Sequence, residues 1–354
     1  MYIDKTAYLE KLIRLRQPIF LSRPRRFGKS LFVSMAKSYF EGRKDLFDGL
    51  SISRGEKDWT AYPVIHLDLS DGDFTNPVSA KEALRDFLEP YEREFNVPNE
   101  GLQSFGTRLR RIIRKANEVT GRKVVILIDE YDYPLLENYR TEEGGDELRA
   151  IFGDLYSCLK PNLPFIQFLF ITGVTKFLIS RLDNLNDISL NPEFEGICGI
   201  TGSELMGEFV PDISDLAEKL HMGYEQTLGE LKSQYDGYHF SRNLTDIYNP
   251  FSLLGALQAK EIAPYWFGSA TPSFLLRLFE DRRIDIGKDI EGVVLDAEDL
   301  DIPPFESRSV VPLLCQTGYL TIKNWDKPSN RFTLGFPNNE VRRGLSSSGI
   351  CIIN

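Results

Sequence analysis

Five residues have types and spacing that could do chemistry together: Lys29, Ser30, Asp129, Glu130 and Thr172. The first two close the stretch Ser22-Arg23-Pro24-Arg25-Arg26-Phe27-Gly28-Lys29-Ser30. It follows the apolar run Pro18-Ile19-Phe20-Leu21 and precedes a helical pattern of Leu31, Phe32, Met35, Tyr39 and Phe40. Strand, tight loop, Gly-Lys-Ser and helix is the context a phosphate-binding loop requires. The helix start offers unpaired N–H groups and a partial positive charge, so Arg25, Arg26, Phe27, Gly28, Lys29, Ser30 and Leu31 are the expected phosphate-side residues. Lys29 would reach the outer phosphates and the Ser30 hydroxyl would take Mg²⁺. The usual pattern, G-x-x-x-x-G-K-[ST], has its first glycine where this chain has Arg23. Gly-Lys-Ser alone is a weak signal, and Pro24 offers another way to stiffen the turn.

The second half of the signal is Val124-Val125-Ile126-Leu127-Ile128-Asp129-Glu130-Tyr131-Asp132. A continuous β-branched run reads as a strand buried on both faces, the signature of a parallel sheet. It ends in adjacent carboxylates at the edge where open α/β sheets bind ligands. Asp129 suits the Mg²⁺ shell and Glu130 suits orienting or deprotonating a water. A further strand, Phe165 to Ile171, ends at Thr172, whose hydroxyl could sense a γ-phosphate or merely cap a turn.

These residues need an alternating α/β scaffold, and the chain has the length for one. Its 354 residues can bury a large core and divide into two or three domains. A hydrophobic content of 42% and a charged content of 27% are those of an ordinary globular protein. A net charge of −10 argues against a general nucleic-acid coat. Four scattered cysteines form no C-x-x-C, and three histidines give no metal-ligand spacing. No apolar stretch approaches the roughly 20 residues of a membrane span. Asp4 and Lys5 stand where a signal peptide would begin its apolar region, so a cytoplasmic location is expected.

Strand and helix patterns alternate over residues 1–200, implying a mostly parallel sheet with right-handed crossovers. Tyr62 to Leu69 reads as a strand, with His66 a satisfied buried imidazole. Leu84, Phe87, Leu88 and Tyr91 mark one helix face, and Leu102, Phe105, Leu109, Ile112 and Ile113 mark another. Gly196 to Ile200 reads as a short fifth strand, and Thr201 to Glu204 as a capping box. Helical patterns dominate afterwards (Ile213 to Leu220, Tyr224 to Tyr235, Pro250 to Leu257, Thr271 to Phe279). The aromatic turns Tyr235 to Phe240 and Tyr265-Trp266-Phe267 interrupt them. Residues 201–284 thus read as a helical lid. Residues 285–343 carry a helix, a strand, a turn at Asp326 to Asn330 and a second strand, a winged-helix-like order.

Together these motifs resemble the AAA-ATPase-like family of bacterial proteins. The resemblance rests on Tyr2-Ile3-Asp4-Lys5-Thr6, the Arg23 to Ser30 loop, Ile128 to Asp132, and Ile171 to Phe177. It continues through Tyr235 to Phe240, Tyr248 to Ser252, and Phe336-Pro337-Asn338-Asn339-Glu340-Val341. It covers nearly the whole chain. Members of the family also read R-P-R-R-F-G-K-S, so the missing first glycine is a family trait. They usually begin some residues before the Asp-Lys-Thr motif and end in a domain resembling PD-(D/E)xK nucleases. Here Gly344 to Asn354 reads as a truncated tail instead, so nuclease activity is not carried over.

The expected fold is therefore a P-loop NTPase domain over residues 1–200, of the class with an additional strand between the two nucleotide-binding strands. The lid, the winged-helix-like region and the tail over residues 344–354 follow. The expected activity is slow, Mg²⁺-dependent ATP hydrolysis acting as a conformational switch, with Glu130, Lys29 and Thr172 catalytic and Ser30 and Asp129 on the metal. Two other classes stay open: a non-hydrolysing nucleotide-dependent scaffold, and a DNA-binding regulator working through the winged-helix-like end. Partners are a nucleotide and either a protein client or a second copy. The net charge lends nucleic acid no support, and no membrane partner is expected.

Overall fold

The structure is a computed structural model that describes residues 2–55, 58–98, 104–137, 145–176, 185–266, 290–302 and 309–347. The expected helix at Thr271 to Phe279, Leu102 of the second helix face, the motif residues Phe177 and Phe267, and the tail from residue 348 lie outside the described residues. Two compact units emerge. One comprises Asp4–Leu21 and Ser30–Ile188, and the other comprises Met1–Ile3, Ser22–Lys29 and Ser189–Asn354.

The first unit runs α1 (Thr6–Leu15), β1 (Ile19–Ser22), α2 (Lys29–Phe40), β2 (Val64–Asp68), α3 (Pro77–Glu94), α4 (Phe105–Thr120) and β3 (Val124–Asp129). It continues through α5 (Tyr133–Glu137), α6 (Gly145–Ser157), α7 (Leu159–Asn162), β4 (Ile166–Gly173) and β5 (Asn186–Asp187). Its five-stranded parallel sheet has the order β2-β3-β4-β1-β5. The strand β4 thus lies between β1 and β3, as the sequence predicts. Every residue of β3 is buried, which is why Val124 to Ile128 carries no polar side chain.

Local chemistry sets the helix boundaries. Asn76 accepts hydrogen bonds from the Val78 and Ser79 amides and Pro77 takes the first position of α3. Ser104 caps α4, which Gly121 ends in a left-handed turn at φ 66°. Phe105, Leu109, Ile112 and Ile113 form the buried stripe of α4. Arg108, also buried, pairs with Glu92 of α3 through two 2.7 Å bonds.

Two expectations fail here. The fifth strand of the sheet is Asn186–Asp187, pairing in parallel with β1, and not Gly196 to Ile200. Gly199 sits at φ 84°, a left-handed bend that breaks any strand through that run. His66 is half-buried, and its Nε2 has no partner among the described residues. Burial pushes the imidazole pKa down, so the ring stays neutral without a hydrogen bond there.

The second unit begins with β6 (Ile200–Thr201) and α8 (Gly202–Glu208), α9 (Val210–Leu220) and α10 (Tyr224–Tyr235), then β7 (Ile247–Tyr248) and α11 (Pro250–Ala259). Thr201 and Glu204 make the expected capping box. Leu205, Phe209, Ile213, Leu216, Leu231 and Leu253 give these helices a core of their own. There follow β8 (Val294–Asp296), α12 (Val311–Gln316), β9 (Thr321–Asp326), β10 (Arg331–Gly335) and α13 (Asn339–Ser347). The last three strands form an antiparallel sheet of order β8-β10-β9. The helix–strand–turn–strand order is as predicted; β8 is a third strand the sequence reading did not include. Among the described residues no helix is long and apolar enough to cross a membrane.

Candidate nucleotide site

The loop between β1 and α2, Ser22–Lys29, belongs to the second unit and is held by its own backbone and by other residues of that unit. Its left-handed positions are Arg26 at φ 69° and Gly28 at φ 94°; Arg23 is not among them. A glycine at position 23 is therefore not required by backbone geometry. Arg23 acts instead as a tether. Its guanidinium, 1% exposed, donates to the carbonyls of Ser22 and Ser189 at 2.8 Å and of Phe194 at 3.1 Å, and lies 4.2 Å from the Phe240 ring centroid. A charged donor shared among backbone carbonyls fixes the loop more firmly than a bare turn would.

Aromatic residues complete the support. Phe27 meets Tyr238 and Phe240 edge-on, at centroid distances of 4.8 and 5.4 Å. Trp266 donates its indole N–H to the Arg25 carbonyl at 3.0 Å. The Arg26 guanidinium lies 5.0 Å from the Phe251 ring. Gly318 leaves room for Pro24, since a Cβ there would come within 2.7 Å of the proline ring. The motifs Tyr235 to Phe240 and Tyr265-Trp266 thus brace the loop. Sequence reading had placed them in a lid.

Lys29 and Ser30 open α2. The Lys29 ammonium is buried and donates to the Arg23 and Pro24 carbonyls, each at 3.2 Å. Ser30 is exposed, and so is Leu31, at 61%, which removes Leu31 from the apolar face assigned to it. Helix geometry gives the first N–H groups of α2 no intrahelical acceptor, the kind of position at which anions bind.

The carboxylates sit at the end of β3. Asp129 is buried and accepts the Glu130 amide at 3.0 Å. Glu130 adopts φ 48°, a conformation that costs a non-glycine residue about 1–2 kcal/mol and turns the chain sharply out of the strand. One residue on, the Tyr131 amide donates to the Thr172 carbonyl at 3.0 Å, linking the ends of β3 and β4. Thr172 is fully buried, and its hydroxyl has no partner among the described residues. The turn-capping alternative therefore lacks its hydrogen bond, and a buried hydroxyl left this way suits a ligand oxygen or a water.

Sequence reasoning assigned no role to Asp132. The structure makes it the latch of this edge. Fully buried, its carboxylate accepts the Val174 amide, the Thr175 amide at 2.6 Å and the Thr175 hydroxyl at 2.6 Å. Burial, and then the charge of Glu130, push the Asp132 carboxyl up to about 6. Tyr131 adds a bond from its hydroxyl to the Thr175 carbonyl, and Lys176 pairs with Asp187 of β5 at 2.5 Å. An acidic residue three positions after a strand-end aspartate was the available signal, but its partners lie more than forty residues away.

Comparison with known proteins gives this geometry a family. The family described as AAA-ATPase_like, Predicted AAA-ATPase, matches residues 1–182. The chain belongs to it. A protein of Azotobacter chroococcum mcd 1, described as an uncharacterized protein in the vnfD 5' region, is 33% identical over 359 residues. The match covers 98% of this chain and 66% of that protein, so this chain spans about two thirds of the relative's length. Among solved structures, Cdc6p from Pyrobaculum aerophilum aligns over 95% of this chain and 90% of its own, at 14% identity. Its TM-score of 0.29 is too low to establish a common fold. Membership of the AAA-ATPase-like family therefore rests on sequence, and the strand order β2-β3-β4-β1-β5 on the structure itself.

Proposed function

We propose that this member of the AAA-ATPase-like family binds ATP with Mg²⁺ and hydrolyses it slowly as a conformational switch in the cytoplasm. The observation that carries the reading is the end of the sheet. One parallel strand leads into Gly28-Lys29-Ser30 at a helix start, a second ends in Asp129-Glu130, and the strand between them ends in the Thr172 hydroxyl, which has no partner among the described residues. These residue types fit a triphosphate and a hard cation.

In this reading the N–H groups of Arg26 to Ser30 hold phosphate oxygens, and Lys29 exchanges its two loop carbonyls for the outer phosphates. Ser30 and Asp129 hold Mg²⁺, which when bound supplies charge neutralisation at the phosphates. Glu130 orients the attacking water and takes its proton, and Thr172 donates to a γ-phosphate oxygen. A scaffold that binds without hydrolysing uses the same loop and leaves Glu130 idle. The DNA-binding alternative gains nothing from the C-terminal sheet, where Arg331 pairs with Asp296.

Titration of ATP·Mg²⁺ into wild type and Lys29→Ala tests the binding half. Loss of a charge-assisted contact worth about 1.5–3 kcal/mol weakens affinity roughly ten- to hundredfold. Equal affinities would remove Lys29 from the site. Phosphate release above background separates the enzyme from the scaffold.

A further inference from the structure

Two family motifs, Tyr235 to Phe240 and Phe336 to Val341, also meet away from the loop. Residues of both line a cleft of about 430 Å³ in the second unit. Its wall includes Lys232, Asp236, Lys323, Phe336, Asn338 and Arg342. The contact is close: a Cβ on Gly237, at φ 82°, would fall 2.4 Å from the Pro337 carbonyl oxygen. Asn338 donates to the Asp236 carbonyl at 2.9 Å and accepts the Val341 amide at 3.2 Å, capping α13. A volume of this size is within the range of small-molecule sites, about 300–1,000 Å³.

The charges of the cleft are matched with two exceptions. Lys232 pairs with Asp246 at 3.0 Å, and Arg342 pairs with Glu291 through both terminal nitrogens. Lys323 donates only to the carbonyls of Gly237 and Pro337, at 3.3 and 3.0 Å, and has no carboxylate partner among the described residues. Asp236 is 3% exposed, and its Oδ1 has no hydrogen-bond partner among the described residues. Among the described residues, one ammonium that feels the charges of Asp246 and Asp236 but makes no ion pair with either, and one buried carboxylate oxygen without a donor, are thus left in the same cleft. A buried acceptor left bare is costly, so the site is completed by a ligand that brings both missing charges.

We propose that this cleft binds a small zwitterion of the α-amino-acid type, its carboxylate on Lys323 and its ammonium on Oδ1 of Asp236. A zwitterion adds no net charge to the wall, whereas a phosphate monoester would bring up to two negative charges beside Asp236, Asp246 and Glu291, with Lys323 the one cation of the three that makes no ion pair among the described residues. The start of α13 adds N–H dipoles on the carboxylate side. The Phe336 and Pro337 surfaces offer the ligand's side chain an apolar bed. Burial, and then the nearby charge of Asp246, push the Asp236 carboxyl up to about 6, and a ligand ammonium relieves that cost.

The test is a thermal-shift screen of the full chain with the twenty common amino acids, followed by calorimetric titration of any that stabilise it. Lys29→Ala serves as background, so that the phosphate loop plays no part. At least one free amino acid is expected to bind saturably, with equal affinity for wild type and Lys29→Ala. Its N-acetyl and carboxamide derivatives should each bind at least tenfold more weakly. Lys323→Met, at an exposed position, should weaken binding roughly ten- to hundredfold, as should Asp236→Asn. Circular dichroism confirms that each variant is folded. Binding of inorganic phosphate in place of amino acids would make this a simple anion site and overturn the proposal. So would derivatives that bind as tightly as the free amino acid, or no response to any of the twenty.

Discussion

The carboxylate of Asp132 accepts both the amide and the hydroxyl of Thr175, each at 2.6 Å, and Gly173 is the residue that permits it. A Cβ at position 173 would stand 2.3 Å from Asp132 Oδ1. The ends of β3 and β4 are therefore one rigid piece, in which the backbone carrying Glu130 is fixed to the backbone carrying Thr172. Side chains that must act on the same phosphate gain from being preorganised in this way.

Asp132 gives the first prediction, a pH dependence of stability. Its folded pKa is raised to about 6 from the ordinary aspartate value of 3.8. Between these values the folded state holds a proton that the unfolded chain has released, so this group's stabilisation is complete below about pH 4. It is lost as pH rises through about 6. The full shift corresponds to roughly 1–3 kcal/mol. Denaturant melts of wild type and Asp132→Asn from pH 4.5 to 8 measure it. The stability of wild type relative to the variant should fall across that window and level off above pH 7. A constant difference would mean that Asp132 titrates normally. Glu130→Gln, by removing the neighbouring charge, should move the wild-type step to lower pH.

Arg23 supports a prediction against the consensus pattern. Restoring the usual glycine with Arg23→Gly removes hydrogen bonds to three backbone carbonyls and the contact with Phe240. Buried carbonyls that lose a charged donor cost about 3 kcal/mol or more in total. The variant should be less stable by that amount in urea melts and should bind ATP·Mg²⁺ more weakly, because Lys29 hydrogen-bonds the carbonyl of residue 23 in the same loop. A variant of unchanged stability would show that Arg23 merely fills space.

Much of this architecture was legible because it rests on local rules. The buried run at Val124 to Ile128, the capping box at Thr201 and the helix from Tyr224 to Tyr235 are each specified by residues within a few positions. The place of β4 between β1 and β3 followed from recognising the class. What escaped was long-range. Asn186–Asp187 is too short to carry a periodic signal, yet it pairs with β1 because the Ser189 hydroxyl accepts the Ser22 amide and Ile188 donates to Phe20 nearby. The role of Asp132 depends on donors at 174 and 175, and that of Arg23 on acceptors at 189 and 194. The aromatic turn at Tyr235 to Phe240 was visible as a motif, but only contacts with Phe27 and Arg23 reveal it as a brace.

The last prediction separates hydrolysis from mere binding. Glu130 follows a buried metal-type carboxylate and is turned out of the strand by its left-handed backbone. Glu130→Gln keeps size and hydrogen bonding but removes the base, so phosphate release should fall about 10²–10⁴-fold. ATP affinity should survive, because Lys29, Ser30 and Asp129 are untouched, and the variant should retain ATP that wild type turns over. Thr172→Ala offers a control on the same edge. It removes a hydroxyl that has no partner among the described residues, so stability should barely change while hydrolysis drops. Single-turnover assays with both variants read the two effects together. Hydrolysis by Glu130→Gln at the wild-type rate would exclude it as the base. No phosphate release by wild type, with ATP still bound, would favour the scaffold.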